Sequence, residues 1–181
     1  VELIKCFKEA AKLAQVKSNL ITADISSTAP ATYFADKNYI IPRINEEGYI
    51  DSIIDICNKE NIKLIVPTID TELLKLAQNK EYIEGKTTAK VLVSDLSVIE
   101  ICRNKIKTSE FFDNNKIGSP KLITEKEILN KEYKFPLFIK PLNGSSSINA
   151  FKINTEKELE FFNEYIENSM IQECIEGKEF T

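Results

Sequence analysis

Phe135-Pro-Leu-Phe-Ile-Lys140-Pro-Leu-Asn-Gly-Ser-Ser-Ser147 is the stretch on which the reading of this chain turns. Residues 136–140 have the apolar run of a strand, and a lysine stands at its end. An ammonium there is costly to bury without a counter-charge. The residues that follow bring a glycine and three serines, whose backbone N–H groups and hydroxyls suit close approach to an anion. Polyphosphate would satisfy both features. A hairpin whose lysine snorkels to solvent accounts for the same residues, so the stretch alone carries two readings. It is not a Walker A loop, because GxxxxGK[ST] is absent.

Toward the C-terminus, residues 150–153 read as a strand, Thr155 with Glu158 caps a helix, and residues 170–174 form a further strand. The chain then runs Ile171-Gln-Glu-Cys-Ile-Glu-Gly-Lys-Glu-Phe-Thr181. Glu173 and Glu179 flank a turn, one able to accept from an adenine amino group and the other from ribose hydroxyls. Solvated glutamates on a hairpin are the alternative. Toward the N-terminus, residues 121–123 read as a strand, and Thr124 with Glu127 caps a short helix. Pro120 marks the entry to this α+β unit, over residues 120–181. Before it lies a linking helix over 97–115, opened by a Ser97–Glu100 capping box and striped with Val98, Ile101, Ile106, Phe111 and Phe112. Its Arg103-Asn104-Lys105 is a cationic stretch of the kind that usually faces solvent.

The pattern changes upstream. Residues 20–23 ending at Asp24, 39–41 ending at Pro42, 62–66 ending at Pro67, and 91–93 read as strands. They alternate with helical patterns over the opening residues, over 49–60 and over 71–79, the last capped by Asp70. Residues 1–96 are therefore expected to form βαβ units around a mostly parallel sheet, a Rossmann-like α/β domain, and residues 97–181 the second domain. Asp70 and Glu72 follow Pro67 at the carboxyl end of a strand, where open α/β sheets place ligands. They face an acceptor substrate on one reading, and Asp70 is only an N-cap on the other. The first helix begins without an initiator Met or a cap, and the chain stops just after a glycine turn, so both ends read as truncated.

Composition narrows the chemistry. The chain has 181 residues, 24 basic and 28 acidic, for a net charge of −4, with 43% hydrophobic residues. That suits one globular domain or two small ones. The mild acidity gives no electrostatic reason to expect nucleic acid or an anionic membrane as a partner, since such binders cluster basic charge. Zero histidines exclude Ser-His-Asp and Cys-His catalysis and histidine metal sites from this chain. Cys6, Cys57, Cys102 and Cys174 form no CxxC pattern and no dense disulfide framework, which points to reduced thiols in a cytoplasmic protein. No apolar run approaches the roughly 20 residues that span a bilayer. GxGxxG is absent, which disfavours an NAD-binding Rossmann domain.

The order of these features resembles the ATP-grasp superfamily. Cys102-Arg-Asn-Lys105 is similar to its Asp-Lys segment, and residues 135–147 to its phosphate-lysine strand and glycine loop. Gln172-Glu173 through Gly177-Lys-Glu179 is similar to its adenine hinge and ribose carboxylate. Upstream, Ala23-Asp24, Ala35-Asp36, Val66-Pro-Thr-Ile-Asp70-Thr-Glu72-Leu and Val93-Ser-Asp look like the preceding domain of carbamoyl-phosphate-synthase-like members, the group that includes the pyrrolysine-synthesis ligase. The resemblance implies a pre-ATP-grasp domain followed by the nucleotide-binding subdomain of an ATP-grasp fold, with the C-terminal lobe absent. It implies ATP as cofactor, with Lys105 and Lys140 on the phosphates and Gly144, Ser145, Ser146 and Ser147 closing over them. Glu173, Cys174 and the Ile175 backbone would meet adenine, and Glu179 ribose. Asn104 stands where the family has an acid, and Asn149 where many members have glycine. Magnesium ligands are expected in the absent lobe. The implied activity is ligation: a carboxylate is activated as an acyl phosphate for attack by an amine or similar nucleophile. Small-molecule carboxylate and amine substrates are the expected partners, and a homodimer stays open as the assembly. A non-catalytic nucleotide-sensing or interaction module with the same fold is the alternative.

Overall fold

A computed structural model describes residues 1–143 and 147–178. The chain divides into two compact units, residues 1–94 and 95–181, each with its own apolar core. Among the described residues, no helix is long and apolar enough to cross a membrane.

The first unit opens with α1 (Glu2–Leu13), amphipathic by spacing yet burying none of its residues. β1 (Ile21–Asp24) and β2 (Lys37–Ile40) pair in parallel, Ile21 opposite Lys37 and Asp24 opposite Ile40. α2 (Tyr49–Glu60) starts after Gly48, whose φ of +83° lies in the left-handed region that glycine enters without a Cβ penalty. Asn61 ends the helix, also left-handed at φ +52°. β3 (Leu64–Ile65) and β4 (Lys90–Val91) form a second parallel pair, with α3 (Asp70–Gln78) and α4 (Lys80–Lys86) between them. The core gathers Tyr49, Ile53 and Cys57 from α2, Leu76 from α3, Ile83 from α4 and Val91 from β4.

The alternation of strands and helices is as expected, with three differences. The parallel strands make two separate two-stranded ladders among the described residues instead of one sheet, and β3 and β4 are each two residues long. Pro67 has no N–H to extend a ladder past β3. Asp70 is the first residue of α3, and Ile69 is its cap, with no side-chain hydrogen bond. The Asp70 carboxylate thus lies in the first turn, where a negative charge complements the helix dipole. α4 was not expected: Gly85 weakens its helical signal, and complete burial of Ile83, at 0% exposure, holds it in place.

The second unit begins with α5 (Leu96–Arg103) and α6 (Lys105–Asn114), two helices where one was expected over 97–115. Asp95, not Ser97, caps α5, without a side-chain bond, so the Ser97–Glu100 box does not form. The break falls at Asn104, in extended conformation at φ −110° and ψ 110°. Its side chain accepts from the N–H groups of Ile106 and Lys107 at 3.0 and 3.1 Å. An asparagine that captures two orphan donors opens a new helix more readily than it continues an old one. α7 (Glu125–Leu129) carries the expected Thr124–Glu127 capping box in full, and Thr155 caps α8 (Glu156–Tyr165) by accepting from Glu158 N–H. β5 (Leu137–Pro141) is the centre of an antiparallel sheet, flanked by β6 (Phe151–Ile153) and β7 (Ser169–Glu173). Leu137, Ile139, Ile153, Leu159 and Ile171 form its core.

Candidate functional site

Alternation along β5 decides what Lys140 faces. Leu137 and Ile139, exposed 1% and 0%, point into the core, so Phe138 and Lys140 leave the opposite face. Lys140 pairs with Met170 of β7. Burial pushes its ammonium below the ordinary lysine range, and the charge of Lys105 pushes it further the same way. Among the described residues the Lys140 side chain makes no hydrogen bond and no ion pair. Two cations are thus gathered where desolvation already disfavours one.

Lys105 reaches this place as the first residue of α6, which Asn104 starts. Its Nζ donates to the Leu142 carbonyl at 3.1 Å, and its backbone N–H to the same oxygen at 3.4 Å. Leu142 in turn donates to the Asn168 carbonyl at 2.8 Å. The turn after β5 is therefore tied both to the start of α6 and to the residue before β7. Asn104 does the N-capping that an acid would do at the same position, since either side chain offers an oxygen. Leu142 and Asn168 carried no signal in the sequence, because both act through main-chain carbonyls.

Gly144, Ser145 and Ser146 lie outside the described residues, as does Glu179. Ser147 and Asn149 are left-handed, at φ +55° and +56°. Asparagine is among the few residues that take this conformation at low cost, which accounts for it where glycine is usual. Glu173 is the last residue of β7, opposite Leu137. Its Oε1 accepts from Lys121 N–H at 2.9 Å, a partner the sequence reading did not anticipate. Cys174 N–H donates to the Pro136 carbonyl at 3.3 Å, and Ile175 is exposed. Glu176 pairs with Lys152 at 3.0 Å. Lys140, Lys105 and the 173–175 main chain all belong to the second unit. Asp70 and Glu72 belong to the first, where Glu72 Oε1 accepts from the hydroxyl of buried Tyr49 at 2.9 Å. Burial, then Glu72, raises that phenol well above its ordinary range.

Residues 1–92 match the family described as PylC-like, N-terminal domain, and residues 102–181 the ATP-grasp domain. The chain belongs to the ATP-grasp family, with a PylC-like N-terminal domain. Among curated proteins it is 26% identical over 153 residues to carbamoyl-phosphate synthase of Methanobrevibacter smithii, covering 81% of this chain and 40% of that protein. It is 28% identical over 183 residues to D-alanine–D-alanine ligase B of Clostridium perfringens, covering 92% of this chain and 60% of the ligase. The chain thus spans roughly half the length of these relatives. Among solved structures, the biotin carboxylase domain of the 2-oxoglutarate carboxylase of Hydrogenobacter thermophilus superposes with a TM-score of 0.73 at 19% identity, over 97% of this chain and 42% of that one. That structure is a dimer holding magnesium ADP and bicarbonate. An L-amino acid ligase of Bacillus licheniformis gives a TM-score of 0.69 at 20% identity, over 94% and 41%. These likenesses show a shared ATP-grasp fold.

Proposed function

We propose that this chain is the nucleotide-binding part of an ATP-dependent ligase that activates a small-molecule carboxylate as an acyl phosphate, which an amine or similar nucleophile then attacks. The observation that carries the reading is Lys140: half-buried at the end of β5, beside Lys105, its charge unmatched by any described residue. A polyphosphate supplies the missing counter-charge. Residues 1–96 serve as the pre-ATP-grasp domain, and residues 97–181 as the first part of the ATP-grasp domain.

Each residue's part follows from its chemistry. Lys140 and Lys105 hold the triphosphate and offset charge on the transferring group, the main need of phosphoryl transfer. Gly144, Ser145, Ser146 and Ser147 offer N–H groups and hydroxyls to the same oxygens. Glu173, Cys174 and Ile175 present the main chain of the strand end to the adenine edge, and Glu179 takes the ribose hydroxyls. Asp70 is proposed for the acceptor side, with Glu72 fixing Tyr49. Magnesium, if bound with the nucleotide, would supply positive charge that offsets the charge of the phosphates. The described residues do not fit it: they bring no three His, Cys, Asp or Glu side chains together in a group able to hold a metal ion.

The test is a titration of the 181-residue chain with ATP and, separately, with adenosine. Binding that depends on the triphosphate is expected. Equal affinity for both would remove the phosphate role of Lys140. In a protein that carries the rest of the fold, ADP release that requires both a carboxylate and an amine would support the ligase over a nucleotide-sensing module.

A further inference from the structure

The ion pair between Lys152 and Glu176, 3.0 Å from Nζ to Oε1, joins two places that β5 separates. Lys152 lies on β6, opposite Phe138 of β5. Glu176 follows β7, on the other side of β5: Gln172 pairs with Phe138 from that side, and Cys174 N–H still donates to the Pro136 carbonyl there. Two strands that flank a third are about 10 Å apart. The side chains therefore meet by crossing β5, and alternation decides over which face. Ile153 is buried in the core at 0% exposure, so its neighbour Lys152 takes the opposite face, the one that carries Phe138 and Lys140. Half-buried Phe138 is the side chain that the ion pair crosses.

Phe138 and Lys140 are two residues apart, about 7 Å along the strand. A nucleotide whose phosphates reach Lys140 and whose base lies back along this face meets Phe138 next, and with it the ion pair. The Lys152 ammonium is held above the ordinary lysine range, first by its hydrogen bond to Glu176, then by the Glu176 charge and in smaller part by Cys174. The influence of Cys174 agrees with an ammonium that has reached across β5. Both partners stay open to water, their side chains 46% and 75% exposed. An ion pair so exposed is weak. It is closed in this structure and opens at small cost.

We propose that Lys152 and Glu176 form a latch across the base end of the nucleotide site, closed over Phe138 in the free chain and opened as a nucleoside triphosphate enters. The pair sets the rate of entry and contacts no phosphate. The inference rests on reading the second unit as a nucleotide site.

The experiment measures, by rapid mixing, the association of ATP and of inorganic tripolyphosphate, which has no base. The proteins are the 181-residue chain, Lys152→Met, Glu176→Gln, the double variant, and the exchanged pair Lys152→Glu with Glu176→Lys. The two single changes shift net charge in opposite directions, so steering of an anion alone would slow entry in Lys152→Met and speed it in Glu176→Gln. Loss of a latch raises the ATP rate relative to the tripolyphosphate rate in both, by about two- to fivefold, and no further in the double variant. The exchanged pair brings the ratio back toward wild type. ATP and tripolyphosphate rates that move together in every variant would overturn the latch, leaving steering alone. Unchanged ATP association with faster dissociation would also overturn it, by making the pair a clamp on bound nucleotide. A second readout needs no nucleotide. In an NMR titration of the lysine side chains, Lys152 should titrate above the ordinary value of 10.5 and move down in Glu176→Gln. A Lys152 value unmoved by that change would overturn the ion pair and the latch with it. Failure of the wild-type chain to bind either ligand would instead count against the nucleotide reading, with the titration still deciding the pair.

Discussion

Lys140 is the residue at which fold and chemistry meet, and its protonation links them. Its ammonium titrates below the ordinary lysine value of 10.5 because of burial and, second, Lys105. A lysine lowered in this way costs stability while charged, and that cost fades as pH rises through its lowered pKa. A bound polyphosphate favours the charged form and raises the pKa again. Binding therefore takes up a proton in the window between the two values, and affinity falls as pH climbs through it. Calorimetric titrations with ATP in alkaline buffers of different ionisation enthalpy should show this uptake. It should vanish in Lys140→Ala, and a buffer-independent binding enthalpy in the wild type would contradict the assignment. Glu72 teaches a different lesson at the same scale. A carboxylate after a strand and a proline, it accepts from buried Tyr49, a partner 23 residues away that no local pattern announces.

At the scale of elements, what was legible was what is local. The Thr124–Glu127 box and the Thr155 cap need only residues three apart, and both stand as read. The apolar run of β5 and the lysine ending it were equally plain, because period-2 alternation is written in the residues themselves. The break between α5 and α6 was hidden, since the apolar stripe runs on across it while Asn104 acts through its side chain alone. The lengths of β3 and β4 depend on pairing across 26 residues, which the strand sequences do not encode. The start of α6 is where an element sets the site, because Lys105 is its first residue. Asn104→Ala removes the cap at a cost of about 1 kcal/mol. Denaturant unfolding should show a loss of that size, and ATP should bind more weakly as Lys105 loses its anchor. Unaltered stability together with unaltered binding would mean that the cap does not hold Lys105.

For the whole molecule, two units with separate cores carry a family assignment that covers nearly the entire chain. The sequence order of weak motifs was enough for that assignment, because a nucleotide site built across a loop, a strand and a turn leaves its residues in fixed succession. The order did not carry the main-chain geometry of Glu173 or the faces of β7. Given magnesium, ATP and a panel of amino acids, residues 1–181 are expected to release no ADP in sustained turnover, the described residues offering no group of ligands for a metal. Turnover in an ADP-release assay would place the catalytic groups within this chain.

The central claim is that Lys140 holds a nucleotide polyphosphate, and the direct measurement is calorimetric titration of ATP into the wild-type chain and into Lys140→Ala. A charge-assisted contact contributes about 1.5–3 kcal/mol, so the variant should bind roughly ten- to a hundredfold more weakly. The Leu137 and Ile139 amides should keep their protection from exchange, since both side chains face the core and not Lys140. Equal affinity in the two proteins, with that protection intact, would contradict the account.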